Sequence, residues 1–160
     1  MEINTARKTL TQMQGCFQGL DLPIMGEYEK LDLEAPSVHM AFRSCVLDAD
    51  CLGEVLAFLW LNHGVIQLSI NFNEQLNESI LDNLLGLINT INLLNSGIYC
   101  VLQPKEGKIE FRTAYVLRRD KFDEDQFRSV LKNLLELALH YYTGLRQLIR
   151  NEEITTCLSH

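Results

Sequence analysis

The sequence predicts an α+β protein with an antiparallel five-stranded sheet, in the element order α-β-β-β-α-β-β-α. Segments in which apolar and polar residues alternate fall into one group of three and one group of two. Segments with apolar residues at spacings of three and four lie before, between and after these groups. Grouped strands form meanders and hairpins, whereas a doubly wound parallel sheet needs strict alternation of strands and helices.

The first predicted element is a helix over about residues 5–19. Its apolar residues recur at helical spacing: Leu10, Met13, Cys16 and Phe17. The next stretch, "DLPIMGEYEK", contains Pro23 and Gly26, which are typical of chain breaks. We therefore expect the helix to end near Gly19 and no regular element to follow directly.

Three strands are predicted next, joined as a meander. Their sequences are "SVHMAFRSCVL", "EVLAFLWLN" and "VIQLSINF". The second run carries large apolar residues on both faces, which indicates a central strand. The connecting sequences "DADC" and "NHG" are turn signals, because Asp, Asn and Gly tolerate tight backbone geometry.

The second helix follows the meander and ends abruptly before a hairpin. Its apolar residues include Ile80, Leu84, Leu87, Ile91 and Leu94. Asn73 or Asn77 is the candidate N-cap, and Asn95 or Gly97 can close the C-terminus. The hairpin then pairs "IYCVLQ" with "IEFRTAYVLRR" through the turn "PKEGK".

The last helix has a clear start signal. Asp123 is the predicted N-cap, and Phe122 and Phe127 on either side of it can form a hydrophobic staple. The helix is expected to reach Arg150, roughly 40 Å at 1.5 Å per residue. Since a strand spans about 17–20 Å, part of this helix should overhang the sheet and need another surface. Residues 151–160 are expected to form a frayed C-terminal tail.

Composition fits a single domain over residues 1–160. The chain is 47% hydrophobic and 22% charged, close to the globular average. A formal net charge of −7 argues against nucleic-acid binding, which needs a concentrated basic face. No apolar run approaches the ~20 residues of a membrane span, and no signal peptide is visible. The five cysteines at irregular spacing are typical of a reducing, cytoplasmic environment.

The run "LINTINLLNSGIYCVLQPKEGKIEFRTAYVL", followed by "FDEDQFRSVLKNLLELALHYYTGLRQLI", resembles the YbjN-like proteins. The resemblance lies in Asn92 and Asn95 at the helix end, in Gly107 and Arg112 of the hairpin, and in the long final helix. It covers about residues 38–149. These proteins, described as candidate sensory transduction regulators, have the fold of class I type III secretion (Tir-type) chaperones. The resemblance implies a non-enzymatic, protein-binding and homodimeric role, with no catalytic set.

No reactive motif points to an enzyme. Nucleotide-binding, nucleophile-elbow and zinc-protease patterns are absent, and no cofactor or metal site is predicted. Glu136 and His140 have the spacing of half a metal site, which is more often a surface interaction. Asp48 and Asp50 lack the further oxygens of a calcium loop.

Two functions remain open. The first is a chaperone-like or regulatory homodimer that binds a segment of a partner protein. Its candidate interface residues are Tyr141, Tyr142, Leu145, Leu148 and Trp60. The alternative is a regulatory domain that binds a small ligand between sheet and helices, for which the candidate polar residues are Asn71, Asn89, Asn92 and Arg112.

Overall fold

A computed structural model describes residues 3–32, 37–48, 51–60, 63–119 and 121–158; for residues 26–32, 37–48, 51–52 and 151–158 only the backbone is considered. Within these ranges, three α-helices, two short 3-10 turns and one six-stranded sheet form the fold. The helices are α1 (Ile3–Gln18), α2 (Leu81–Leu94) and α3 (Glu124–Leu158). The strands are β1 (Ile24–Asp32), β2 (Ser37–Asp48), β3 (Cys51–Trp60), β4 (Val65–Asn73), β5 (Ile98–Gln103) and β6 (Lys108–Val116). Each neighbouring pair is antiparallel, in the order β1-β2-β3-β4-β6-β5.

The α+β class and the antiparallel sheet are confirmed, but the strand count is not. The segment expected to be a break contains β1, which begins directly after Pro23. The pairing of β1 with β2 shifts register between Ile24 and Gly26. A glycine at an irregular position is tolerated there because β1 is an edge strand. The element order is therefore α-β-β-β-β-α-β-β-α.

The predicted meander corresponds to β2, β3 and β4, with β3 in the interior of the sheet as expected. Asn77 accepts a hydrogen bond from the Ser79 amide and caps a short 3-10 turn over Glu78–Ile80, which leads into α2. At the other end of α2, Asn95 is extended, and Gly97 takes the left-handed conformation at φ +85°. The chain can then turn directly into β5.

One layer of helices covers one face of the sheet. α3 contacts β4, β6, α1 and α2, while α2 also lies against β5. The core between the layers is large and apolar, with fully buried side chains that include Phe17, Leu59, Leu68, Phe111 and Leu134. All three helices contribute to a single hydrophobic cluster, so they lie on the same side of the sheet.

The start of α3 is as predicted, but its end is not. Asp123 Oδ1 accepts a hydrogen bond from the Gln126 amide at 3.0 Å, and the Phe122 and Phe127 rings lie 4.9 Å apart. The helix continues to Leu158, into the segment expected to be a frayed tail. Ile149 is buried, so the apolar side of α3 is covered by this chain up to that residue. The part of α3 before Arg150 therefore needs no further surface to cover its apolar side.

Candidate protein-binding surfaces

The side of the sheet opposite the helices forms the first candidate surface, here called the open face. Its residues on the four strands with described side chains are Glu54, Leu56, Phe58, Trp60, Val65, Gln67, Ser69, Asn71, Asn73, Tyr99, Val101, Gln103, Lys108, Glu110, Arg112, Ala114 and Val116. They alternate with the buried core residues along each strand, as the period of a strand requires. No helix in the described part of the chain covers this face, because the helices pack together on the other side.

One end of the open face is apolar. The register places Trp60 beside Val65 and Val65 beside Val116, so that three strands contribute one continuous row. Phe58 lies in the next row with Gln67 and Ala114. Val116 is 59% exposed, while Trp60 and Val65 are half-buried. The row therefore exposes apolar side-chain surface to water at this end of the sheet.

The other end of the open face holds a polar cluster. Glu110 is buried, and its Oε2 accepts from Arg112 Nη2 at 2.8 Å and from Gln103 Nε2 at 3.0 Å. Asn71 lies directly opposite Glu110 in the ladder and is 4% exposed. Its Oδ1 and the Nε of Arg112 are buried without a hydrogen-bond partner. A buried polar atom of this kind is costly unless something pairs with it.

The four residues suggested for a small-ligand site do not converge. Asn71 and Arg112 lie near each other on the open face, away from the helices. Asn89 is exposed on α2, and Asn92 bonds both backbone groups of Cys100. A site between sheet and helices that uses all four side chains is therefore ruled out by their positions.

The exposed side of α2 forms the second candidate surface, here called the α2 leucine surface. It consists of Leu85, Leu87, Leu93 and Leu94. Leu87 and Leu94 were expected to face the core, but Leu94 is 72% exposed and Leu93 is 87% exposed. Only Leu84, Ile88 and Ile91 are buried in α2. The helix therefore carries apolar residues on both its buried and its exposed side.

The five predicted interface residues occupy different environments. Tyr142 and Leu145 are buried in this chain's own core. The Tyr142 ring stacks on Phe72 with centroids 3.7 Å apart, and its hydroxyl donates to Glu74 Oε1. Tyr141 and Leu148 are half-buried on α3, and Trp60 lies on the open face. An interface role for these residues stays a prediction, and only the last three have side-chain surface to offer.

The sequence already distinguishes the buried Tyr142 and Leu145 from the half-buried Tyr141. Tyr142 and Leu145 continue the buried series of Leu134 and Ala138 at spacings of three and four. Tyr141 is one position off that series, and its hydroxyl accepts from Asn95 Nδ2 at 3.1 Å. The α2 leucine surface was missed because the spacing of three and four placed Leu87 and Leu94 on one apolar face with Leu84 and Ile91, although only the latter two are buried.

Two cysteine thiols of the described chain have raised pKa values. Burial, with a smaller contribution from the charge of Glu110, raises the pKa of Cys100 to about 12. Burial likewise raises the pKa of Cys16. Among the described residues, no group of three or more His, Cys, Asp or Glu could hold a metal ion. None of the helices in the described ranges is both long and apolar enough to span a membrane.

Comparison with solved structures gives the fold a name. A scan of protein-family models and a search of curated proteins find no significant match. The solved structures that match over most of the chain include the following three. The chain has the fold of YbjN and ExsC. The YbjN structure, of a candidate transcription regulator from E. coli, matches with a TM-score of 0.51 at 11% identity, covering 91% of this chain and 93% of YbjN.

The other two of these structures also share the fold at low sequence identity. The ExsC–ExsE complex matches with a TM-score of 0.54 at 16% identity, covering 93% of this chain and 98% of that chain. An uncharacterized protein from Methanothermobacter thermautotrophicus matches with a TM-score of 0.56 at 9% identity, covering 88% and 99%. The resemblance expected from the sequence is confirmed at the level of the fold, which is YbjN-like and chaperone-like.

Proposed function

We propose that this chain is a non-enzymatic, chaperone-like protein-binding module that acts as a homodimer and binds a partner protein segment on its open face. The observation that carries the proposal is the exposure of apolar side chains at two places, the apolar end of the open face and the α2 leucine surface. The fold is shared with ExsC, which has been solved in complex with a second protein, ExsE. No residue is assigned a catalytic or cofactor role, and a cytoplasmic location stays a prediction.

The α2 leucine surface supports the homodimer. The exposed side of a surface helix is normally polar, and α2 exposes Asp82 and Asn89 there. Leu93 and Leu94 are nevertheless the two most exposed large hydrophobic side chains among the described residues. A second copy can cover the same surface reciprocally, since a two-fold interface uses one patch on both subunits.

The open face supports the binding of a partner segment. A solvated sheet face normally carries polar residues, but Phe58, Trp60, Val65 and Val116 form an apolar region here. Contiguous exposed apolar patches mark interaction sites. The net charge of −7 favours a partner segment with basic and apolar residues over nucleic acid.

An unfolded polypeptide of known composition tests this binding directly. Reduced ribonuclease A with carbamidomethylated cysteines is basic, carries apolar side chains without a fold of its own and serves as the probe, with fluorescence anisotropy as the readout. Val116→Asp places a charge on the apolar row and should weaken binding at least tenfold. Ser129→Asp is the matched control, because Ser129 is exposed on α3 and lies on neither surface. Equal binding by both variants, or no binding by the parent chain, contradicts the proposal.

The alternative function, a regulatory domain for a small ligand, is favoured by one observation. The unpaired Oδ1 of Asn71 and Nε of Arg112 give the polar cluster an acceptor and a donor for a small polar molecule. A thermal-shift screen with free amino acids and nucleotides tests it, since a ligand that binds the native state raises the melting temperature. A shift that Asn71→Ala abolishes favours this function; no shift with any compound removes it.

A further inference from the structure

The backbone of the edge strand β5 is bonded to a side chain of α2. The Cys100 amide donates to Asn92 Oδ1 at 2.7 Å, and Asn92 Nδ2 donates to the Cys100 carbonyl at 2.9 Å. Both bonds point away from β6, which pairs with β5 on its other side. The carboxamide of Asn92 thus makes the two bonds that a residue of an additional strand would make.

Cys100 occupies the middle of the available edge. In an antiparallel ladder, the backbone groups of successive residues point alternately toward and away from the paired strand. Because those of Cys100 point outward, those of Ile98 and Leu102 do so as well, while Tyr99 and Val101 bond to β6. β5 has six residues, and Cys100 is the middle one of its three outward-bonding residues. An added strand would therefore need the amide and carbonyl of Cys100 to form a continuous ladder.

We propose that Asn92 closes the β5 edge against strand addition. An open edge pairs readily with a second copy or with any extended peptide. The Asn92 carboxamide occupies the central pairing position, so that β5 takes neither the edge of a second copy nor a partner strand. Association on this side of the molecule then proceeds through side chains. The proposal is independent of the proposed function, because edge closure applies equally to a monomer and a dimer.

Exchange of the Cys100 amide hydrogen, followed by NMR, tests the bond itself. In the parent chain this amide should exchange slowly. Asn92→Ala should accelerate its exchange at least tenfold, because no strand protects it. Asn89→Ala is the matched control, being an exposed asparagine of the same helix, and should leave the rate unchanged. Rapid exchange in the parent chain, or an unchanged rate in Asn92→Ala, overturns the proposal.

A strand probe tests the closure. The probe is a labelled peptide with the sequence of residues 97–103, carrying serine in place of the cysteine, and its binding is followed by anisotropy. It should bind Asn92→Ala at least tenfold more tightly than it binds the parent chain or Asn89→Ala. Equal binding to all three, or no binding to Asn92→Ala, overturns the proposal.

If Asn92→Ala does not fold, a second variant, Asn92→Asp, can be used to test the bond to the Cys100 amide. Asn92→Asp retains an acceptor for the Cys100 amide but cannot donate to the Cys100 carbonyl while ionised. The amide should therefore remain protected to within a few-fold of the parent chain. Loss of that protection overturns the proposal, since the acceptor is still in place. The rate of Cys100 amide exchange does not depend on whether the open face binds an unfolded polypeptide, so the two tests can fail independently.

Discussion

The Glu74 amide donates to the Gly107 carbonyl across 2.7 Å and joins the loop after β4 to the turn between β5 and β6. Gly107 has a φ of +60°, a left-handed conformation that costs other residues about 1–2 kcal/mol. A Cβ at Gly107 would also collide with the Glu74 carbonyl oxygen. The predicted hairpin glycine is therefore fixed both by its own backbone and by a contact that is distant in sequence.

Gly107→Ala should destabilise the protein by at least about 1 kcal/mol, because alanine is strained at positive φ. Gly144→Ala is the matched control. It lies inside α3 with nothing near its Cβ position, so alanine should stabilise the helix by up to about 1 kcal/mol. Urea unfolding of both variants measures the change in unfolding free energy, which should be a loss for Gly107→Ala and a gain for Gly144→Ala. A Gly107→Ala protein as stable as the parent contradicts the structure of this turn.

Tyr142 is predicted to stabilise the monomer rather than an interface. Tyr142→Phe keeps the ring on Phe72 and removes the hydrogen bond to Glu74, which should cost about 2 kcal/mol of unfolding free energy because the acceptor is charged. Urea unfolding measures the loss, and light scattering measures the subunit mass. Unchanged stability combined with a loss of oligomeric mass would instead assign Tyr142 to an interface.

Cys100 should make the protein less stable at alkaline pH. Its pKa is about 12 in the folded state against an ordinary value of 9.0, so folding favours the protonated thiol. This contribution is intact below pH 9 and is lost as the pH rises from about 9 to 12, by about 1.4 kcal/mol per pH unit.

A comparison with Cys100→Ala isolates that effect from the titration of lysines and tyrosines. Unfolding free energies at pH 8 and pH 10.5 give the slope for each protein. The parent chain should lose about 2 kcal/mol more than the variant over this interval. Identical slopes would show that the thiol is accessible to water in the folded state.

Most of the fold could be predicted because local signals agreed with the tertiary structure. The cap at Asp123, the left-handed Gly97 and the turn at Gly107 all lie where their residue types require. The strand β1 was missed because Pro23 and Gly26 resemble a break. An edge strand needs fewer apolar residues and tolerates irregular positions, so its sequence gives a weaker signal than that of β3.

The candidate surfaces were less predictable because the residue type alone does not determine how exposed a side chain is. Leu94 and Leu145 are both leucines at helical spacing, yet one is 72% exposed and the other is fully buried. Which side of α2 the rest of the chain covers depends on how α3 and β5 lie against it. The polar cluster of Asn71, Glu110 and Arg112 likewise depends on the pairing of β4 with β6.

The solution mass, measured by light scattering across a dilution series, tests the central claim most directly. The parent chain should have twice the 18.4 kDa of one chain, and the double variant Leu93→Glu, Leu94→Glu should have the mass of one chain. Ser129→Asp, outside both surfaces, should keep the mass of two. A parent chain that stays at 18.4 kDa at every concentration contradicts the homodimer, and a double variant that keeps the mass of two places the interface elsewhere.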